Sequence, residues 1–222
     1  MSKEMGEQEF REIAAQLRKP AGEMGLMIAN RMNEGNKPMN LHTLVVVDPQ
    51  PGDKILEIGM GKGLFVKNIL KADESITYCG CDYSDLMVKE SIDINQKYIN
   101  DGRAQFIHSG AEELPFDDNS FNKIFTINTL YFWDNHIKVL KELNRVLTSD
   151  GSLIISVRPK HNMQNYPVTK FDFTLFSKED IVEFLTSNNF QVLEITEIKE
   201  PPQMAYGMLS DRETLIIKCT PK

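Results

Sequence analysis

Three glycines alternate with other residues in a segment that could bind a small ligand. The segment reads Glu57-Ile58-Gly59-Met60-Gly61-Lys62-Gly63 and follows an apolar run. Because glycine has no β-carbon, alternating glycines allow positive φ angles and let a ligand lie against the backbone. The carboxylate of Glu57 would repel a phosphate, but not a ligand that bears an amine or a sulfonium. The segment is therefore predicted to be a ligand-binding loop.

The spacing of these glycines argues against a dinucleotide as the ligand. Dinucleotide-binding loops read G-x-G-x-x-G and present a helix N-terminus to a pyrophosphate. Here Leu64 stands where the third glycine of such a loop would be. A glycine-rich turn that serves only close packing stays open as an alternative, because a Gly-x-Gly pattern alone is a weak signal.

Asp82 is a second candidate contact for the same ligand. It closes the second predicted strand, about 20 residues after the loop, where an acid is expected to accept hydrogen bonds from ribose hydroxyls. It could also cap the helix that is predicted to begin near Ser84, and the two roles are compatible.

Strand-like runs alternate with amphipathic helical patterns from residue 54 onwards. The predicted strands are Lys54–Ile58, Ile76–Cys81, Ala104–His108, Lys123–Ile127, Ser152–Val157, Gln191–Ile198 and Thr214–Cys219. The predicted helices between them are Leu64–Lys71, Ser84–Asn100, Asp134–Leu147 and Ser177–Ser187. This alternation predicts a Rossmann-like α/β three-layer sandwich with a mostly parallel, seven-stranded sheet. No helix separates the last two strands, so the last strand is predicted to be antiparallel.

Residues 1–48 are predicted to form an N-terminal helical extension or lid, ahead of an α/β domain at 49–222. Apolar residues recur there at helical spacing in three segments, which end near Pro20, Gly35 and Val47. A loop rich in His, Asn, Tyr and Pro, Arg158–Phe173, follows the fifth strand. Ligands in open α/β sheets bind beyond the carboxyl ends of strands, so this loop and the extension are predicted to cover the site together.

The order of these motifs resembles that of class I S-adenosylmethionine-dependent methyltransferases, in particular small-molecule enzymes of the methyltransferase domain 11 type. The pattern E-x-G-x-G-x-G is similar to their first motif. Ala111–Phe121 resembles the stretch that they place beside the adenine, and Leu140–Val157 the helix, turn and strand after their active site. The resemblance covers Lys54–Cys219. It implies an enzyme that uses S-adenosyl-L-methionine and produces S-adenosyl-L-homocysteine.

The resemblance also implies a set of cofactor-binding residues. These are Glu57, Gly59, Gly61, Gly63, Asp82, Tyr83, Ala111, Glu112 and Asn128. Many relatives have Asp where this chain has Gly110. Recognition of the adenine is therefore expected to rest on the backbone N–H of Ala111, on Glu112 or on water.

Two residues are candidates for contact with the methyl acceptor. The sulfonium already activates the methyl group, so the main task of such an enzyme is to align donor and acceptor in a dry pocket. Tyr131, in the aromatic run 131–133, could contact the acceptor, and His161 could take a proton from it. Ordinary packing for the aromatic run and solvent exposure for His161 are the competing interpretations.

The charge balance points to a small-molecule acceptor. The chain has 25 Lys and Arg against 32 Asp and Glu, a net charge of −7, so nucleic acid would be repelled over most of the surface. No apolar run reaches the roughly 20 residues that a membrane span needs. The polar segment Met1–Glu9 has no secretory signal pattern. A cytoplasmic location is predicted, and the oligomeric state stays open.

No metal site is predicted. Three cysteines argue against a disulfide framework. Cys79 and Cys81 are expected to face opposite sides of the sheet, and to be core sulfur rather than joint metal ligands.

Two other functions are compatible with parts of this pattern. A noncatalytic protein that binds S-adenosylmethionine as a sensor or scaffold would need the same loop. A nicotinamide-dependent oxidoreductase would share the fold, but it is disfavoured by the glycine spacing and by Glu57.

Overall fold

A seven-stranded sheet lies at the centre of the computed structural model, which describes residues 5–222. Its strands are β1 (Lys54–Ile58), β2 (Thr77–Asp82), β3 (Ala104–His108), β4 (Phe121–Ile127), β5 (Leu147–Val157), β6 (Phe190–Ala205) and β7 (Met208–Pro221). They lie in the order β3-β2-β1-β4-β5-β7-β6. The strands from β3 to β5 are parallel, and β7 is antiparallel to both of its neighbours. The predicted fold class, with its antiparallel last strand, is confirmed.

Helices cover both faces of this sheet and extend beyond it. They are α1 (Glu7–Arg18), α2 (Gly22–Gly35), α3 (Lys37–Val47), α4 (Val66–Leu70), α5 (Asp85–Ile94), α6 (Gln96–Asn100), α7 (His136–Val146), α8 (Lys160–Met163) and α9 (Lys178–Ser187). Buried side chains of α7 and α9 pack on one face. Those of α3 and α4 pack on the other, with α5 and α6 beside them.

Side chains alternate between the two faces along each central strand, which is why both faces have an apolar core. In β5, Leu153 and Ile155 pack toward α7 and α9, whereas Ile154 packs toward α3 and α4. Cys79 and Cys81 are both buried on the α7 side. The expectation that they face opposite sides was wrong, because residues two apart on a strand share a face.

Two predicted helices differ from the observed ones near the site. The pattern Ser84–Asn100 divides into α5 and α6 at Asn95, because the buried amide of Asn95 donates hydrogen bonds to the Gly63 and Ser91 carbonyls at 3.1 and 2.9 Å. At α7 the N-cap is Asn135, whose side chain accepts the Lys138 N–H.

The hairpin of β6 and β7 is longer than predicted. Its strands pair from Phe190↔Pro221 to Ala205↔Met208, with a register shift between Glu200 and Gln203. Two prolines in that shift hid the continuation of the strand from the sequence pattern. The end of this hairpin reaches the N-terminal helices.

The N-terminal helices divide into two groups by their packing. Helix α3 packs on the sheet, where Met39 and Val47 are fully buried and Thr43 Oγ1 lies 2.7 Å from Ser156 Oγ. Helix α1 packs instead on residues that follow β5, including Tyr166.

The prediction for Met1–Glu9 falls partly on residues 1–4, which lie outside the described residues. Among residues 5–222, no helix is both long and apolar enough to cross a membrane.

Candidate active site

A cavity of about 1120 Å³ lies at the carboxyl ends of β1, β2 and β4. It is lined by the glycine loop and by the residues that follow these strands. Of the predicted cofactor and acceptor residues, those that line it are Glu57, Gly59, Gly61, Asp82, Tyr83, Ala111, Glu112, Asn128 and Tyr131. Its position is the one that open parallel sheets use for ligands.

The three loop glycines all have positive φ angles, but for different reasons. Gly59, Gly61 and Gly63 have φ angles of 73°, 54° and 61°. A β-carbon on Gly59 would overlap the Thr129 side chain. A β-carbon on Gly61 would meet no atom within 4 Å, so this glycine leaves open space at the wall of the cavity.

Gly63 was predicted to contact the cofactor, but the structure places it elsewhere. It does not line the cavity, and a β-carbon there would lie 3.0 Å from Asn95 Nδ2 and 3.1 Å from Ser91 Cβ. Its conformation is required for close packing of the loop on α5. The packing interpretation of the glycine turn therefore applies to Gly63.

Asp82 fixes the shape of the loop. One carboxylate oxygen accepts the Gly61 N–H at 3.1 Å, and the other accepts the Ser84 N–H at 2.9 Å. The N-cap of α5 is Ser84, so Asp82 does not cap the helix itself. Burial raises the pKa of Asp82, although its hydrogen bonds from Ser84 and Gly61 oppose the rise.

Glu57 is a second buried carboxyl group beside Asp82. It accepts a hydrogen bond from the Tyr78 hydroxyl at 2.6 Å and is only 7% exposed. Burial raises the pKa of Glu57 to about 7; the Tyr78 hydrogen bond opposes the rise and the charge of Asp82 adds to it. With Asp82 it forms an acidic end of the cavity, which favours a cationic ligand.

Comparisons with known proteins agree with this geometry. A methyltransferase domain family model matches residues 56–155. "Putative methyltransferase YrhH" of Bacillus subtilis (strain 168) is 36% identical over 111 residues, which are 50% of this chain and 61% of YrhH. "Uncharacterized methyltransferase YdaC" of the same strain is 23% identical over 170 residues, 77% of this chain and 89% of YdaC.

Solved structures share the whole fold. A SAM-dependent methyltransferase from Aquifex aeolicus has a TM-score of 0.67 and 17% identity, over 98% of this chain and 100% of that one. Residues 56–155 thus form a methyltransferase domain, and the fold around them is that of class I S-adenosylmethionine-dependent methyltransferases. The cofactor of this family is S-adenosylmethionine, and the match to a methyltransferase model argues against the nicotinamide-dependent oxidoreductase.

The methyltransferase cavity fits this cofactor. The open wall at Gly61 leaves space for a ligand, and the carboxyl groups of Glu57 and Asp82 suit its positive charge. Two buried polar atoms of the cavity wall, Tyr83 Oη and Trp133 Nε1, have no partner within hydrogen-bond geometry among the described residues, although the Arg18 guanidinium lies near Tyr83 and lowers its pKa against the effect of burial. Buried polar atoms are usually paired, so both are candidates for ligand contact. Sequence reasoning missed Trp133 as such a contact.

The residues expected from the resemblance to lie near the adenine, Gly110 and Glu112, are both at the cavity wall. Glu112 lines the cavity, but its Oε1 accepts the Asn135 N–H at 3.1 Å. Gly110 also lines the cavity, and a β-carbon there would meet no atom within 4 Å.

Tyr131 is buried, and its hydroxyl is held by the backbone. The hydroxyl accepts the Arg158 N–H and lies 2.9 Å from the Arg158 carbonyl and 3.1 Å from Asn128 Oδ1. Burial raises the pKa of Tyr131 far above its usual value. Its phenol joins the end of β4 to the end of β5, so a role as proton acceptor for the substrate does not fit.

His161, the second catalytic candidate, is not at the site. Its side chain is 61% exposed, and Nε2 lies 3.3 Å from Glu213 Oε2. It is not among the residues that line the cavity. The loop that contains it forms α8 here, and the His161 side chain lies at the surface beside Glu213.

Three separate segments close the methyltransferase cavity on the side away from the sheet. Ala14 of α1 packs with Tyr166 and Val168, and Tyr206 at the hairpin end joins the same cluster. The Tyr166 hydroxyl also donates a hydrogen bond to Ser210 Oγ at 2.9 Å. Sequence reasoning predicted the first two segments as neighbours but missed the hairpin. Only longer predicted strands β6 and β7 could have indicated that the hairpin end reaches the cavity.

No cluster of metal-binding side chains is found in the part of the chain that the structure describes. No group of three or more His, Cys, Asp or Glu side chains there could hold an ion.

Proposed function

We propose that this chain transfers the methyl group of S-adenosylmethionine to a small-molecule acceptor by in-line displacement and releases S-adenosylhomocysteine. One observation supports it above the others: a single cavity joins the glycine loop to a chamber under α1, α2 and the hairpin end. Its volume of about 1120 Å³ exceeds the roughly 300–1,000 Å³ that is usual for a pocket with one ligand. Two small molecules can therefore meet inside it.

The same cavity favours a small acceptor over a macromolecule. Its cover is built from helices and a hairpin that pack on one another, so an acceptor has to fit beneath them. The net charge of −7 disfavours a nucleic acid. The domain division at residue 48 and a cytoplasmic location stay predictions.

The proposed cofactor contacts follow from the lining of the cavity. S-adenosylmethionine, when bound, supplies a methyl group that its sulfonium has already activated. We assign its binding to Glu57, Gly59, Gly61, Asp82, Tyr83, Ala111, Glu112 and Asn128. Asn128 has a φ angle of 58° at the end of β4, next to both the loop and the chamber.

Catalysis is proposed to rest on alignment rather than on a general base. Tyr131 is held by Arg158, and His161 is exposed outside the cavity. The residues of the chain then act by orienting the acceptor and excluding water, which together can supply most of the rate enhancement for an activated donor.

A label-transfer experiment tests the proposed function. The protein is incubated with methyl-labelled S-adenosylmethionine and, separately, with the metabolite, RNA and protein fractions of a cell extract. We expect release of S-adenosylhomocysteine and labelled product only with the metabolite fraction. Label in RNA or protein would refute a small-molecule acceptor. Tight cofactor binding without release of S-adenosylhomocysteine in any fraction would instead favour the noncatalytic binding protein.

A further inference from the structure

Arg212 brings a guanidinium group to the wall of the chamber. This residue lies on β7, is partly buried, and lines the cavity. Nη1 donates a hydrogen bond to the Gly35 carbonyl at 2.7 Å and another to Gln203 Oε1, and Nη2 donates to Asn36 Oδ1 at 3.1 Å. All three acceptors are neutral. A guanidinium has five N–H donors, so donors remain for a ligand.

No carboxylate of residues 5–222 forms an ion pair with this guanidinium, and Glu200, the acid whose charge acts on it, is engaged by another residue. Glu200 is buried and binds the neighbouring Arg158 with both carboxylate oxygens, at 2.8 and 3.1 Å. It also accepts a hydrogen bond from Thr214. Two guanidinium groups thus share a single carboxylate, which leaves an excess of one positive charge. Burial and the charge of Arg158 lower the pKa of Arg212, and the charge of Glu200 opposes this fall only in part.

The other walls of the chamber are mostly apolar. They include Ile13, Leu17, Met24, Met163, Val168 and Phe173. An isolated charge in such surroundings is costly unless a ligand of opposite charge pairs with it. Asn33 lies one turn before Asn36 on α2, and its Nδ2 is buried without a hydrogen-bond partner in residues 5–222. Arg212 and Asn33 thus offer donors at this wall, which suit an anion, whereas the acids Glu9 and Glu12 line the cavity from α1.

We propose that Arg212 binds a carboxylate on the methyl acceptor, so that the acceptor is an apolar molecule with one carboxylate. This inference rests on the proposed function, because it names the class of acceptor for the same cavity. Arg212 then determines specificity: a neutral analogue of the acceptor would leave the guanidinium unpaired in the chamber. The acidic end at Glu57 and Asp82 stays reserved for the cofactor cation.

A binding comparison tests this role directly. The protein is saturated with S-adenosylhomocysteine and titrated with fatty acids from hexanoate to dodecanoate, and with their uncharged amides. Calorimetry measures both affinities. We expect at least one carboxylate to bind the wild-type protein about 10-fold to 100-fold more tightly than its amide, the range of a charge-assisted hydrogen-bonded pair.

Variants separate Arg212 from other cations of the cavity. Arg212→Gln is expected to remove the preference for the carboxylate, and Arg212→Lys to keep part of it. Arg31→Gln is the matched control, because Arg31 also lines the cavity but is exposed. In all three variants, S-adenosylhomocysteine should bind with unchanged affinity, which also reports a folded site.

Several outcomes would overturn the inference. They are equal binding of carboxylates and amides to the wild-type protein, loss of the preference in Arg31→Gln rather than in Arg212→Gln, and a large loss of S-adenosylhomocysteine affinity in Arg212→Gln. The last would place Arg212 at the cofactor's own carboxylate. If extract metabolites still release S-adenosylhomocysteine in those cases, the proposed function stands without this acceptor class.

Discussion

The backbone N–H of Gly61 donates a hydrogen bond to Asp82 Oδ2 at 3.1 Å, and this bond joins the glycine loop to the end of β2. The two residues are far apart in sequence, but Gly61 lies in the loop after β1 and Asp82 ends β2, and these strands are parallel neighbours. The carboxylate that is proposed to accept hydrogen bonds from the cofactor ribose therefore also sets the shape of the loop. A change at Asp82 acts on both.

Replacement of Asp82 with Ala is expected to weaken cofactor binding by about 1.5–3 kcal/mol, the usual loss for a hydrogen bond to a charged group. The Gly61 and Ser84 N–H groups would also lose their acceptor. Trp133 is the chain's one tryptophan and lines the cavity, so its fluorescence can report the titration. Asp82→Asn is the control and should lose less, because it keeps an acceptor oxygen. A lower melting temperature with unchanged affinity would show that Asp82 is only structural.

Gly61→Val is expected to abolish cofactor binding while the fold is kept. The new side chain would enter open space at the cavity wall, and a β-branched residue also resists the positive φ angle. Gly102→Val is the matched control, because Gly102 has a φ angle of 68° with no atom near its β-carbon position, and it does not line the cavity. The site is supported if both variants lower the melting temperature by a similar amount and only Gly61→Val loses cofactor affinity. Wild-type affinity in Gly61→Val would refute it.

Cofactor affinity is expected to rise as the pH rises from about 6 to 8. Burial raises the pKa of Glu57 to about 7, so the carboxyl is largely protonated at the lower pH and ionised at the higher. A cationic ligand binds better to the ionised form. Calorimetry near pH 7 in buffers of different ionisation enthalpy should show proton release on binding, and Glu57→Gln should remove it. A flat pH profile for the wild-type protein would contradict the assignment.

The same raised pKa affects the stability of the cofactor-free protein. A carboxyl with a higher pKa in the folded state binds more protons when folded than when unfolded. The Glu57 contribution to the free energy of unfolding is therefore greatest below the unfolded pKa, about 4.3. It falls as the pH rises through about 7. Glu57→Gln should flatten this part of a pH series of chemical denaturation, whereas an unchanged slope would argue against protonated Glu57.

Local patterns were sufficient to predict the sheet and the loop. The apolar runs of β1 and β3 matched the observed strands at both ends, because short buried strands are bounded by turn residues. The sequence could not show the division at Asn95, since that break depends on a hydrogen bond to the Gly63 carbonyl, which is remote in the chain.

The acceptor side was harder to predict because its groups converge from distant segments. Tyr131 looked available to a substrate, yet Arg158 holds its hydroxyl. Arg212 was not singled out, because neither its burial nor its missing carboxylate partner is visible in the sequence. Loop glycines could be recognised as a group, but only their surroundings separate Gly61 at the cavity from Gly63 against α5.

The lid is expected to be needed for turnover but not for cofactor binding. Helix α1 contributes Ala14 to the cluster with Tyr166 and Val168, while the loop of Gly61 and Asp82 lies on the sheet. Removal of residues 1–19 would open the chamber to water and release the acceptor. We expect turnover to fall on the order of 100-fold, the scale that misalignment alone can cause. The affinity for S-adenosylhomocysteine should stay measurable.

A hydrogen bond that does not involve α1 holds α2 on the site: Ser84 Oγ donates to the Pro20 carbonyl at 2.6 Å. It ties the start of α2 to the start of α5, so α2 should remain in place when α1 is removed. Arg18→Gln is the matched control, because Arg18 pairs with Asp134 at 2.5 Å at the cavity wall and does not belong to the apolar cluster. Its removal should cost much less turnover than loss of α1. Hydrogen exchange on the full-length protein should show protection of α1 and of residues 158–173 together when S-adenosylhomocysteine binds.

Normal turnover by the protein that lacks residues 1–19 would mean that the sheet-side residues hold the acceptor without a lid.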